Sequence, residues 1–268
     1  MMRIKQLVVL ALFSLSSALC FAGSAPAEDV KLEPEAIAKF SKEVERYAAK
    51  YRANVFIIGR VGRPQADLPE GVQFTHTALA VYSNITLDDG TNAKGYAIYN
   101  LYQKLGDLGH SSLVTDYPVD FFWGVDSLKA GIIIPNKQLQ AGLLKLINSG
   151  DNHLLHNPNY SVLANPFNSQ FQNCTEYTLD MLNASIFATS DTKQLKRLAR
   201  AHFKAQPIKV NRFKLFMGGL LFDDVTLADH QGKPKTATFT TIARYLEQQQ
   251  LLEHSAILLP NDVSQALL

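Results

Sequence analysis

The chain has 268 residues, 47% hydrophobic and 19% charged, with a formal net charge of +2. That apolar content is enough to bury a substantial core and excludes disorder on the scale of a domain. The nearly balanced charge gives no electrostatic footprint for nucleic acid.

Residues 1–22 read as a secretory signal: Arg3 and Lys5 form a positive start, Leu7 to Leu19 is largely apolar, and small residues follow. Cleavage fits after Ala22 or after Ala27. Either cut removes Cys20 and the two positive charges, taking the formal charge from +2 to zero. Lipid modification of Cys20 is disfavoured, because Leu19 rather than a small residue precedes it. The apolar run falls short of the roughly 20 residues a membrane span requires. The expectation is an exported, periplasmic protein whose residues 28–268 form one domain without a membrane span. Nothing in the sequence bears on its oligomeric state.

Glu33 to Tyr51 places Ile37, Phe40, Val44, Tyr47 and Ala48 at helical spacing and predicts an amphipathic helix. Val55 to Val61, mostly β-branched and apolar, predicts a strand, followed by a loop punctuated by Gly62, Pro64, Pro69 and Gly71. Arg60 and Arg63 could hold a carboxylate or phosphate, but a strand running into a turn explains them more simply. Gln73 to Tyr82 predicts the next strand, with His76, Ala78, Ala80 and Tyr82 on one face. Asn84 to Ala93 is a hairpin-like connection and Lys94 to Tyr102 the returning strand, with Tyr96, Ile98 and Asn100 on one face. If the inward faces coincide, Asn100 lies near His76.

Gly106 to Asp120 reads as a polar loop, and Phe121-Phe122-Trp123-Gly124 as an aromatic cluster that fills the core or walls a cleft. Gly131 to Ile134 predicts a short buried strand, Asn136 to Ile147 a helix, and Asn148 to Pro158 a loop. Asp151, His153 and His156 in that loop are too weak a set for a metal site, and no cofactor motif occurs. Tyr160 to Ala164 predicts a strand leading toward a helix that begins at Cys174. Beyond it, Lys193 to Phe203 reads as a helix whose Lys193, Lys196, Arg197 and Arg200, with nearby Lys204, form a solvated face. Pro207 to Val210 and Leu220 to Leu227 read as strands and Phe239 to Leu252 as the last helix. No repeat, linker or domain boundary divides the chain.

The most informative stretch is Gln170-Phe171-Gln172-Asn173-Cys174-Thr175-Glu176-Tyr177. Asn173 followed by Glu176 has the spacing of a capping box, and Leu179, Leu182 and Ile186 follow at helical spacing, so Cys174 opens a helix. There the free amides and the helix dipole favour an anion and would lower a thiol from its ordinary pKa of about 8.5 toward the thiolate. With Cys20 removed, Cys174 has no intramolecular partner in an oxidising compartment and is either a buried small apolar residue or a used nucleophile. A thiol becomes a catalyst when a base lies within reach and a third group orients that base. Cys174, His76 and Asn100 supply the three types. In this reading His76 and Cys174 form an imidazolium–thiolate pair, Asn100 fixes the imidazole tautomer, and the Cys174 amide contributes to an oxyanion hole with Gln170 or Gln172 as candidate partners.

A strand carrying Phe74-Thr75-His76, a second strand with a polar residue, and a later helix opening with Asn173-Cys174-Thr175-Glu176 resemble the circularly permuted NlpC-type, papain-like superfamily, in which the histidine precedes the cysteine. Lecithin:retinol acyltransferase-like proteins share that order. More narrowly, Gly62-Arg63-Pro64, Leu68-Pro69-Glu70-Gly71, Thr75-His76 and Asn173-Cys174 are similar to an uncharacterised family of exported proteobacterial proteins of unknown function. The wider resemblance implies an α+β fold, an antiparallel sheet packed against helices, and hydrolysis or acyl transfer at an amide or ester. Its members act on peptidoglycan peptides, on lipids, or on nothing known, so the resemblance does not itself imply a substrate; a small peptide, cell-wall or lipid substrate is the expectation. In NlpC-type enzymes the third residue is often histidine, whereas Asn100 matches the papain type. The alternative is a non-catalytic lipid- or peptide-binding module on the same fold, with Phe121, Phe122 and Trp123 beside the cleft.

Overall fold

The computed structural model describes residues 30–86, 89–209 and 226–268. The expected signal segment lies outside the described residues, as does most of the expected strand from Leu220 to Leu227. Helix α1, Pro34–Lys50, starts with proline in its first turn, where the missing amide costs nothing, and buries Ile37, Phe40, Val44 and Ala48. It is followed by β1, Val55–Val61, then β2, His76–Thr86, β3, Asn92–Lys104, and β4, Asp107–Asp116. A four-residue helix α2, Pro118–Phe121, leads to β5, Ser127–Pro135, and α3, Lys137–Asn148. After a loop come α4, Cys174–Phe187, and α5, Thr192–His202. The short β6, Gln206–Pro207, pairs with β7, Lys235–Thr236, and the chain ends with α6, Phe239–Gln248, β8, Leu252–Leu259, and β9, Val263–Ala266.

Seven strands form one antiparallel sheet in the order β4-β3-β2-β1-β5-β8-β9. This makes the protein α+β. Alternation along the strands divides the core into two layers. Phe56, Ile58, Ala78, Ala80, Ile98 and Ile132 face α1 and the Phe121–Phe122 pair; Val55, Ile57, Leu79, Val81, Leu101 and Ile133 face α3, α4 and α6. Because β1 is covered on both faces, all seven of its residues are buried, Arg60 among them.

Several sequence expectations are corrected. The expected polar loop from Gly106 to Asp120 is β4 plus α2: its alternation is hidden because an edge strand exposes much of its surface, and its residues are largely polar. Tyr160 to Ala164 makes only an isolated bridge, Tyr160 with Gln172, and the strand expected from Pro207 is reduced to Gln206–Pro207. The last helix ends at Gln248, and the residues beyond it supply β8 and β9; the Glu253-His254-Ser255 run in β8 breaks the alternation that would have marked a strand. Phe121 and Phe122 are fully buried; Phe122 packs edge-on against Phe40 with centroids 5.1 Å apart. They fill the core rather than wall a cleft. That removes them from the surface on which the binding-module alternative had placed its ligand.

One contact fixes how α6 sits on the sheet. Gly59 of β1 and Gly131 of β5 are register partners, and the absence of side chains at both lets the Phe239 ring lie against the backbone, tilted by 54° against Phe74 with centroids 4.7 Å apart. A Cβ on Gly131 would lie 2.6 Å from Phe239 Cζ and 2.9 Å from Phe74 Cζ, with both rings enclosed. Gly131→Ala is therefore expected to destabilise the fold by about 1–3 kcal/mol through overpacking. A lower midpoint in chemical denaturation checks this, and an unchanged midpoint would mean that α6 has room to retreat.

Candidate functional site

Cys174 is the first residue of α4 because Asn173 stops the preceding chain in an extended conformation and caps the helix. Its Oδ1 accepts from the Glu176 amide at 2.9 Å and from Thr175 Oγ1 at 2.8 Å, while Nδ2 donates to the Val162 carbonyl at 2.8 Å. Only half of the expected capping box is made, since the Glu176 side chain turns to Lys196 instead. The helix behind the cap is buried from Cys174 to Ala184.

The cysteine meets the sheet at a break in pairing. Contacts between β2 and β3 run from Thr86–Asn92 to Leu79–Tyr99 and stop there, while β1 continues to pair with β2 as far as His76 and β4 with β3 beyond Asn100. In the unpaired stretch the Thr77 amide is one of three backbone donors, with those of Thr175 and Cys174, that favour charge on the Cys174 sulfur. Thr77 precedes its neighbours Leu79 and Val81 on the α4 face, whereas His76 shares the opposite face with Ala78 and Ala80.

His76 is fully enclosed. Its Nε2 lies 2.9 Å from Asn100 Oδ1, as the two predicted strand faces required. The Asn100 amide has only one orientation that fits: Nδ2 donates to the Ile98 carbonyl at 3.1 Å and to Asp116 Oδ1 at 2.6 Å, both acceptors, leaving Oδ1 to accept from His76. Nε2 of His76 therefore carries the proton in the neutral ring, and Nδ1 presents a lone pair. Nδ1 has no hydrogen-bond partner among the described residues. The structure thus joins His76 to Asn100 but makes no hydrogen bond from His76 to Cys174.

Around this pair lie residues the sequence reading missed. Tyr102 stacks on His76 with centroids 4.8 Å apart and donates to Asp116 Oδ2 at 2.8 Å. Phe121 covers the imidazole from another side at 5.6 Å. Arg60, the register partner of His76, is buried with its guanidinium 5.1 Å from the Phe121 ring and 5.5 Å from that of Tyr102, and donates to the Phe121 carbonyl. Its charge sits inside the molecule, where it favours the ionised form of Asp116. Asp116 gave no sequence signal because it lay in the stretch read as a loop.

Electrostatics correct the expected ion pair. Burial pushes the Cys174 thiol up to about 11, outweighing the three amides and Arg60, which pull it down. Burial and then Arg60 hold His76 well below its ordinary value. The resting pair is a neutral thiol and a neutral imidazole. Burial likewise raises Asp116 to about 6 against the hydrogen bonds that favour its charge.

The opposite side of α4 carries a second buried polar group. Lys196 of α5 bonds Glu176 at 2.5 Å and Asp180 Oδ2 at 2.7 Å, so it leaves the solvated face the sequence predicts. Gln172 donates to Asp180 Oδ2 at 2.9 Å and to the Leu155 carbonyl at 3.0 Å, and accepts from the Asn157 amide at 2.9 Å. Its side chain is fully committed there, which corrects its candidacy for the oxyanion hole; Gln170 is exposed. A cavity of about 330 Å³ opens beside this cluster, lined by Phe171, Glu176, Asp180 and Lys196 among others. His156, also on its wall, hydrogen-bonds Ser111 at 3.0 Å, and among the described residues no group of three His, Cys, Asp or Glu is placed to hold a metal.

Taken together, the fold and site define an α+β protein with a buried cysteine at the start of an internal helix and an asparagine-oriented histidine on the adjoining strand. The chain belongs to the family described as an uncharacterized protein conserved in bacteria (DUF2145), which matches residues 47–246 and so includes all the site residues above. No curated protein and no solved structure matches it. No described helix is long and apolar enough to cross a membrane.

Two outcomes follow from the shifted groups. With its pKa raised, Cys174 holds less thiolate at pH 8 than an unfolded cysteine, so iodoacetamide is expected to label the native protein more than about tenfold more slowly than the urea-unfolded chain, the rate climbing with alkalinity. Glu176, raised by burial from 4.5 to about 8, binds its proton more tightly when folded. Its contribution to stability is present below pH 4.5 and lost as pH rises through 8. Glu176→Gln should flatten that part of the stability–pH curve measured by urea titration.

Proposed function

We propose that the protein is an exported, periplasmic thiol hydrolase or acyltransferase acting on an amide or ester, with a cell-wall peptide as the favoured substrate and a permuted papain-like, NlpC-type arrangement of its site. The observation that carries this reading is the His76–Asn100 pair: the asparagine fixes Nε2–H and leaves Nδ1 open, on the residue adjoining the one whose amide serves the Cys174 sulfur. The break between β2 and β3 supports it, because it lies at the strand segment where the Thr77 amide, next to His76, serves the Cys174 sulfur.

In this mechanism the Cys174 sulfur attacks the substrate carbonyl carbon as His76 Nδ1 takes the thiol proton. A C–S bond forms, and the carbonyl oxygen, now negative, accepts from the Cys174 and Thr77 amides. Collapse breaks the C–N or C–O bond, and His76 returns its proton to the leaving group. Water, or an acceptor hydroxyl or amine, then attacks the thioester, gives a proton to His76 and restores the thiol. The neutral resting pair makes His76 a general base rather than half of a preformed ion pair. The runner-up, a lipid- or peptide-binding module without chemistry, is favoured by the burial of both groups and the raised thiol pKa.

Incubation with p-nitrophenyl acetate, followed by intact mass and peptide mapping, separates the two. An acetyl adduct on Cys174 is expected in the wild type, absent in Cys174→Ala and slowed by about 10²–10⁴-fold in His76→Ala. A wild type that forms no adduct, or a His76→Ala variant that reacts as fast, would overturn the enzyme reading in favour of the binding module.

A further inference from the structure

We infer that Asp116 is a positioning residue that sets the orientation of the Asn100 amide and of the Tyr102 ring, and through them the tautomer and placement of His76. The inference rests on the thiol-enzyme reading for its kinetic consequence, but its geometry stands apart from it.

Asp116 is the last residue of β4, and its two oxygens divide between two partners. Oδ1 accepts from Asn100 Nδ2 at 2.6 Å and Oδ2 from Tyr102 O–H at 2.8 Å. Asn100 and Tyr102 lie on the same face of β3, two residues apart, so one carboxylate clamps both. Each partner in turn holds the imidazole, Asn100 at Nε2 and Tyr102 by stacking. An amide whose Nδ2 lost its carboxylate partner would keep only the Ile98 carbonyl, and a flipped amide would turn an NH₂ group toward Nε2. The flipped form stabilises the wrong tautomer, with the proton on Nδ1, and a histidine in that form cannot take the thiol proton.

The charge surroundings make the clamp responsive to pH. Asp116 faces Arg60 from β1, Tyr102 from β3 and Asp120 from α2, while His76 on β2 and Cys174 on α4 adjoin the same network. Arg60 and the two hydrogen bonds favour the carboxylate, and burial and Asp120 oppose it, leaving Asp116 near 6. A protonated carboxyl offers one free acceptor oxygen to two donors, so one half of the clamp opens. His76 is already neutral in that range, because its own pKa lies well below 6.5. An acid limb near pH 6 therefore belongs to Asp116.

The test uses the acylation rate of Cys174 together with the nitrogen shifts of the His76 ring. Asp116→Ala is expected to lower the rate by about 10–100-fold, the loss typical when an outer partner orienting a functional histidine is removed. Asp116→Asn, which can still accept from Asn100, should recover most of the rate at pH 7.5 while losing the acid limb. In an Asn100→Ala background, Asp116→Ala should cost little more, because its route to His76 is already cut. Independently of activity, the wild-type ring should show the Nε2–H form and Asp116→Ala a mixture of tautomers. If the wild type acylates Cys174 but Asp116→Ala matches it in rate, pH profile and ring shifts, the positioning role is wrong while the enzyme reading stands. If no variant acylates, the enzyme reading falls, and the ring shifts alone decide whether Asp116 sets the tautomer. Should Asp116→Ala fail to fold, Tyr102→Phe, which keeps the ring and frees one oxygen, carries the same comparison: an unchanged acid limb there overturns the clamp.

Discussion

Burial of α4 is the constraint on which the remaining structure depends. A helix enclosed over its first eleven residues must meet its polar groups mainly with protein partners, and only Glu176 Oε2 and Asn183 Nδ2 of this stretch lack one among the described residues. Asn173 satisfies the first turn from outside the helix, Lys196 and Gln172 answer Glu176 and Asp180, and Tyr245 of α6 donates to Asn183 at 2.8 Å. α5, α6 and the loop before α4 are therefore each tied to the helix by a specific polar contact as well as by apolar packing. The same enclosure that organises the fold raises the thiol pKa, so the cysteine's position and its resting inertness have one cause.

The sheet contributes the opposite property, a local failure of pairing. Where β2 stops contacting β3, backbone donors become available to something other than a strand, and the cysteine takes one of them. The polar chain from His76 through Asn100 to Asp116, with Tyr102 closing it, spans the parted strands with side chains in place of the missing backbone bonds. A buried network of this kind is costly unless its members are satisfied, and its buried end without a partner among the described residues is Nδ1 of His76.

Much of this was legible in the residues themselves. Periodicity located α1, β1, β2, β3, α3 and α4, and strand alternation alone put Asn100 beside His76, because residues an even number of positions apart share a face. The Asn-x-x-Glu spacing put Cys174 at a helix start. What periodicity could not read was chain whose polarity has a tertiary cause. β4 looks like a loop because it is a polar edge; Lys196 looks solvated because its two acids lie in another helix; Asp116 looks ordinary until β4 is known to pair with β3. The sign of the thiol shift was misjudged for a related reason: a helix start is visible in sequence, whereas the depth at which it is buried is not.

The strand order has a consequence for synthesis. β5 lies between β1 and β8, with Ala130 paired to Leu258 across a long sequence separation. Until β8 has been made, the apolar Ile132–Ile134 segment of β5 presents an unpaired edge, a template for association with another chain. Removing β8 and β9 would leave five of the seven strands with that apolar edge uncovered and open to pairing with another chain.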